Sequence, residues 1–194
     1  INASKARGLA ERFSIPVVYE NLERMLADAM PDTIFDLAVP GYAIVDLLQE
    51  LPDHAAVLIQ KPMGENYKEA RQILQITRDK QMIAGINFQL RYAPAILTAR
   101  QMIEQGAIGE LCDIEINVNV FTPWNLWDFL FHAPRVEILY HSIHYIDLVR
   151  TFLGNPSGIY AKTVSHTRTQ QPASVRSNII MDYGDMIRAN ILTN

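Results

Sequence analysis

The sequence predicts an α/β fold in two parts: a parallel sheet layered with helices, followed by an α+β region on a mostly antiparallel open sheet. Three observations carry this. Short apolar runs bounded by Pro and Gly alternate with amphipathic segments in the first half. A strictly alternating run occupies residues 112–121, and two apolar-rich runs near the end flank a turn.

In chain order, Ala6, Leu9, Ala10 and Phe13 recur at helical spacing over residues 3–13, and Ile15-Pro16-Val17-Val18-Tyr19 follows as a short extended piece. Leu22, Met25, Leu26 and Ala29 place a second helix in 21–29. Thr33 to Val39, stopped by Pro40-Gly41, reads as a buried strand, with a helix next over about 42–51. Ala55 to Ile59 is a second strand, closed by Gln60-Lys61-Pro62. Asn66, with Glu69 three residues on, caps a helix whose inner face is Ala70, Ile73, Leu74 and Thr77. Met82 to Ile86 is a third strand. Strands separated by such helices form right-handed crossover units and hence a parallel sheet.

The second half is patterned differently. Pro94 opens a helix that runs to Gln105, and Gly106 ends it. Cys112, Ile114, Ile116, Val118 and Val120 face one way and Asp113, Glu115, Asn117 and Asn119 the other, as in a sheet with one packed face. Ile146, Val149, Leu153 and Gly154 mark a helix over about 143–153. Ser177–Met181 and Met186–Leu192 flank Asp182-Tyr183-Gly184-Asp185 as a hairpin. The patterning changes near residues 86–95, which divides the chain into a domain of residues 1–88 and one of 89–194.

With 49% hydrophobic and 20% charged residues in 194, there is material for a core and a surface, and disorder, collagen and coiled coil are excluded for the bulk. A net charge of −4, with the 17 Lys and Arg scattered, gives no electrostatic footprint for nucleic acid or an anionic membrane. Cys112 is the single cysteine, so one chain can build neither a disulfide framework nor a thiolate metal site, and a cytoplasmic location is expected. No apolar run approaches a membrane span.

Two residues stand out for chemistry. Lys61 follows a parallel strand, at the sheet edge where open α/β folds place their ligands; there a partly dehydrated ammonium can donate a proton or polarise an oxygen. His144, at the expected start of a helix, would be held neutral by that position and able to accept a proton. The competing readings are a core histidine bonded to backbone, and a metal pair with His141; the further ligands a metal needs are not gathered in the sequence, so none is expected. Arg91 either orients a substrate hydroxyl or anchors the junction where the patterning changes. Trp124 and Trp127 lie in an aromatic segment, 121–131, that would suit a lid over a sugar face as well as ordinary loop packing.

Together these pieces resemble the Gfo/Idh/MocA family of NAD(P)-dependent oxidoreductases over essentially the whole chain. The family's Glu-Lys-Pro turn appears as Gln60-Lys61-Pro62, and its Arg-Phe-Asp-Pro segment as Arg91-Tyr92-Ala93-Pro94. Its Gly-x-x-Gly-Glu turn appears as Gly106-Ala107-Ile108-Gly109-Glu110. Its Asp-x-Gly-x-His-x-x-Asp helix start appears as Tyr140-His141-Ser142-Ile143-His144-Tyr145-Ile146-Asp147, closed by Leu153-Gly154.

The resemblance implies a partial Rossmann-type first domain and a partial substrate-binding and oligomerisation domain, with NAD or NADP as cofactor. It also implies a sugar, polyol or related hydroxy/keto substrate, and a homo-oligomer, dimer or tetramer. Lys61, His144 and Tyr140 become the catalytic candidates; Pro40, Gln60 and Lys61 border the cofactor; Arg91, Trp124 and His141 border the substrate. Tyr140 stands where the family has Asp, and would need a cation such as Lys61 beside its phenol to act as a base. None of the nine glycines forms Gly-x-Gly-x-x-Gly, so the resemblance also implies a chain lacking the phosphate-binding start and the closing end of the second domain. The alternative is a non-catalytic dinucleotide- or sugar-sensing protein of the same fold. A cofactor-assisted glycoside-cleaving enzyme is a third possibility.

Overall fold

The computed structural model describes residues 2–123, 126–133, 135–165 and 175–194. Helix α1 (Ala3–Phe13) starts at Asn2, whose side-chain oxygen accepts the Lys5 N–H at 3.0 Å, and α2 (Leu22–Ala27) starts at Asn21 in the same way. Strand β1 (Ile34–Leu37) leads through a 3-10 turn, Gly41–Ala43, into α3 (Ile44–Glu50). Then come β2 (Ala56–Ile59), α4 (Tyr67–Asp79) and β3 (Ile83–Ile86). The three strands pair in parallel in the order β1-β2-β3. Their register sets Leu37 beside Ile59 and Ile59 beside Ile86, so all three strands end at one edge and deliver their following loops to one place.

The core under this sheet is apolar: Phe35, Leu37, Val57 and Ile59 from the strands pack with Ile44, Leu48, Leu51 and Ile73. Helix α4 carries the expected cap. Asn66 Oδ1 accepts the Glu69 N–H at 3.0 Å, and the Glu69 carboxylate takes the Asn66 amide at 2.6 Å and the Glu65 N–H at 2.7 Å. Its inner face differs by one position from the expectation, because Leu74 is 41% exposed and Ile76 packs on the core in its place. Ile15 to Tyr19 forms no strand; no described strand lies alongside to pair with it.

In the second half, a 3-10 turn at Gln89–Tyr92 precedes α5 (Pro94–Glu104), followed by β4 (Asp113–Val118) and a 3-10 turn at Asp128–Phe131. A helix begins at Val136, winds as a π-helix through Ile138–Ser142, where the Ile143 N–H reaches the Ile138 carbonyl, and continues as α6 (Ile143–Leu153). Strands β5 (Gly158–Val164), β6 (Arg176–Asp182) and β7 (Arg188–Thr193) complete a mixed sheet of order β4-β7-β6-β5, in which only the β4–β7 pair is parallel among the described strands. The two later strands form the expected hairpin. Ile114 and Ile116 join Ile179, Met181, Ala189 and Ile191 on the face covered by Val149 and its neighbours of α6. Cys112 and Val120, beyond the ends of β4, are exposed.

Within the second half, the turn at Gln89–Tyr92 is tied to α6 by charge. Arg91 holds Asp147 of α6 with a two-pronged contact, Nε to Oδ2 at 2.6 Å and a terminal guanidinium nitrogen to Oδ1 at 2.5 Å, and Asp147 is buried. No helix of the described residues is long and apolar enough to cross a membrane.

Candidate functional site

The aligned strand ends gather one polar side chain each. Asp36 lies in β1, Gln60 follows β2 and Asn87 follows β3. The Gln60 amide donates to Asp36 Oδ1 at 2.8 Å, and its oxygen accepts from Asn87 at 2.9 Å, so the amide plane is fixed across the sheet edge. The turn after β1 packs tightly on the turn after β2: a Cβ on Gly41 would lie 3.1 Å from side-chain atoms of both Pro62 and Glu65. Glycine here lets the two loops close on one another.

Lys61 reaches from this edge to the second half. Its Nζ donates to the main-chain oxygen of Tyr140 at 2.7 Å, and burial lowers its pKa from the usual lysine range. The acceptor lies in the π-helical turn, a rare winding that is frequent at functional sites.

The Tyr140 phenol is engaged elsewhere. It donates to Glu65 Oε1 at 2.6 Å, and burial together with the Glu65 carboxylate raises its pKa well above the usual tyrosine value. To act as a base the phenol would need a cation beside its oxygen; the Lys61 ammonium lies 5.9 Å from the centre of the Tyr140 ring, while the oxygen itself is on Glu65. Lys61 binds the main chain, and a carboxylate that favours the protonated phenol occupies the place where a cation would have activated it.

His144 is held neutral, with its pKa lowered to about 4 by burial first, then by the Lys61 charge and by His141, against the opposing pull of Asp147. The expected cause, a helix N-terminus, does not apply: the helix starts at Val136, two turns earlier. Its Nδ1 is buried with no hydrogen-bond partner among the described residues, and Phe88 stands edge-on with ring centres 6.3 Å apart.

His141 Nδ1 lies 3.3 Å from Glu137 Oε1. Glu137 is fully buried and also receives Ser142 Oγ and Thr193 Oγ1, each at 2.6 Å, and Ser177 Oγ. Burial pushes its pKa up, but the four donors outweigh this and hold it below the usual glutamate value.

A cavity of about 540 Å³ opens between the halves. Its floor is Ala38, Val39 and Pro40 after β1; Gln60 and Lys61 stand at one side, Tyr140 and His141 at another, and Trp127 and Phe129 add aromatic side chains. Of the expected site residues, Pro40, Gln60, Lys61, Tyr140 and His141 line it. Arg91, whose guanidinium is spent on Asp147, does not; nor does His144, although Lys61 and His141 are near enough to influence it. Trp124 lies outside the described residues. Glu65, Asn87, Asp36 and Glu137 were not anticipated from the sequence. The signal for Glu137 was an acid inside an otherwise apolar run, Val136 to Leu139, four residues before a histidine.

These residues fit the ring end of a nicotinamide cofactor. An apolar floor at the carboxyl edge of a parallel sheet, a fixed amide beside it and a cation at the rim suit an aromatic carboxamide next to a hydroxyl-bearing substrate.

Comparison with known proteins agrees. Residues 1–88 match the oxidoreductase family's NAD-binding Rossmann fold, and residues 96–194 match the GFO/IDH/MocA C-terminal domain. An uncharacterised oxidoreductase of Schizosaccharomyces pombe is 28% identical over 166 residues, 84% of this chain and 44% of the relative. D-xylose dehydrogenase of Paenarthrobacter nicotinovorans is 22% identical over 180 residues, 87% of this chain and 46% of the relative. The chain thus spans about half the length of the curated relatives it matches. Among solved structures, an oxidoreductase from Agrobacterium radiobacter in complex with NAD+, L-tartaric acid and magnesium superimposes with a TM-score of 0.81 at 18% identity, over 98% of this chain and 56% of that one.

Proposed function

The chain belongs to the GFO/IDH/MocA family of oxidoreductases, and from that premise we propose that its cavity serves hydride transfer between NAD or NADP and a sugar, polyol or related hydroxy/keto compound. The observation that carries this reading is Lys61: an ammonium of lowered pKa, at the carboxyl edge of the parallel sheet, facing a cavity shared with Tyr140 and His141. When bound, the cofactor supplies the hydride acceptor or donor.

The chain's own residues do the rest. The turn Ala38–Pro40 and the fixed amide of Gln60 would hold the nicotinamide end. Lys61 spends one of its three N–H bonds on Tyr140 and keeps two for a substrate oxygen. Its lowered pKa makes it a readier proton donor, and His144, neutral and near enough to Lys61 to feel its charge, is the residue assigned to take up or return the proton. Tyr140, with its phenol on Glu65, acts as a positioning residue that offers its main chain to Lys61. A relative named for D-xylose supports the sugar class.

The test uses the intact protein with NAD+ and NADP+ and a panel of pentoses, hexoses and polyols including D-xylose. Lys61→Met is expected to lower kcat/KM by at least about 10²-fold while dinucleotide binding, followed by fluorescence, is retained. Turnover unchanged in that variant overturns the assignment of Lys61. Dinucleotide binding with no turnover of any panel member favours a non-catalytic sensor, the reading that the acid-to-tyrosine change at Tyr140 supports.

A further inference from the structure

Glu137 lies outside the lining of the cavity, yet it touches one of the residues that form it. It is fully buried, and its two oxygens receive hydroxyls from three elements: Ser142 in the helix, Ser177 in β6 and Thr193 in β7. Three hydroxyls already satisfy much of a carboxylate, which offers about four acceptor sites. The fourth neighbour is His141 Nδ1, at 3.3 Å from Oε1. An ionised carboxylate only accepts hydrogen bonds, so the nitrogen facing it must carry the proton. In a neutral imidazole the other nitrogen, Nε2, is then an acceptor with no proton of its own. His141 is a cavity residue, 18% exposed at its side chain, and with Nδ1 on Glu137 its remaining polar atom is Nε2.

We infer that Glu137 is a positioning residue that fixes the Nδ1–H form of His141, so that Nε2 accepts a hydrogen bond from a substrate hydroxyl beside the group that Lys61 addresses. The substrate class this selects is a compound with at least two hydroxyls, since an acceptor nitrogen binds an O–H and turns away a second carbonyl oxygen. The ring of Tyr145 stands edge-on to that of His141, with centres 5.6 Å apart. The inference rests on the sugar or polyol reading of the cavity for its substrate, but not for the state of the imidazole.

Two measurements separate these. In protein labelled with 15N-histidine, long-range two-dimensional NMR distinguishes the two neutral tautomers; the His141 signal is assigned by its loss in His141→Gln. The expected result is Nδ1–H in the unmodified protein, shifting toward Nε2–H in Glu137→Gln and staying unchanged in Ser177→Ala, which removes a different donor from the same carboxylate. An Nε2–H form in the unmodified protein overturns the inference outright, and that arm stands even where Glu137→Gln fails to fold. With a panel substrate turned over by the unmodified protein, Glu137→Gln is expected to raise KM about tenfold more than it lowers kcat, with partial rescue by Glu137→Asp. Equal KM values overturn the role in substrate binding. Absence of turnover in the unmodified protein sinks the dehydrogenase reading alone, and the tautomer still decides the Glu137–His141 pair.

Discussion

Beneath the parallel sheet, Ile44, Leu48, Leu51, Ile59 and Ile73 are buried together, and Thr77, whose hydroxyl bonds the Leu74 carbonyl of its own helix, is the one buried polar side chain described there. Beneath the mixed sheet, Val149, Ile179, Met181 and Ile191 share the interior with Glu137, Ser142, Asp147, Ser177 and Thr193. The first interior is held by a force with no direction, which fixes strands and helices in place but aims nothing. The second is held in part by hydrogen bonds, which do have direction. It is from this second interior that His141 is oriented and from it that Asp147 anchors Arg91. The first half therefore aims its groups, Gln60 and Lys61, only from the loops at its sheet edge, whereas the second aims some of its groups from its interior.

The contrast can be broken most forcefully in the apolar core. Leu48→Ala is expected to cost about 2–5 kcal/mol, read from the urea unfolding midpoint, with the same loss at pH 5 and pH 8. A loss that depends on pH would show that the two interiors are coupled.

The polar half should instead be sensitive to acid. His144, with a folded pKa of about 4 against 6.5 unfolded, gains its proton in the unfolded chain first. Its contribution is constant above about pH 6.5 and falls as pH drops from there toward 4, by up to about 3 kcal/mol, since each pKa unit is worth about 1.4 kcal/mol. Glu137, held below the usual glutamate range, acts in the same sense lower down, because its stabilisation is lost as pH falls through its folded pKa. Replacing His144 with Phe should flatten the upper part of this profile in urea titrations; an unchanged profile would refute the neutral buried imidazole. The smallest effect belongs to a surface cap: Asn66→Ala should cost about 1 kcal/mol, in the urea midpoint and equally at both pH values.

The same contrast decides what could be read from the sequence. β1 and β2 were legible because a strand buried on the core side reads as an apolar run, β3 because its residues are apolar even though most of them are exposed, and the Asn66 cap because its chemistry is local. β4 was legible from Ile114, Ile116 and Val118. β5 was not, since Ile159, Tyr160 and most of its neighbours are exposed and carry no two-residue rhythm. The helix start at Val136 was hidden by the buried Glu137, which looks like a surface residue until its partners on β6 and β7 are known. Lys61 was visible from its place after a strand. Glu65 was not, because its contact with Tyr140 joins residues 75 apart in the chain.

The π-helical turn has a consequence in angles. In an α-helix each residue advances about 100°, so a side chain five positions on points about 140° away from the first. Ser142 is five residues beyond Glu137 and His141 four, yet one carboxylate oxygen meets both. Only a locally wider winding lets one acceptor serve the two, and the same widening turns the Tyr140 carbonyl toward Lys61. One irregular turn thus acts as a phase shifter, setting what faces the sheet out of step with what faces the cavity within a single continuous helix.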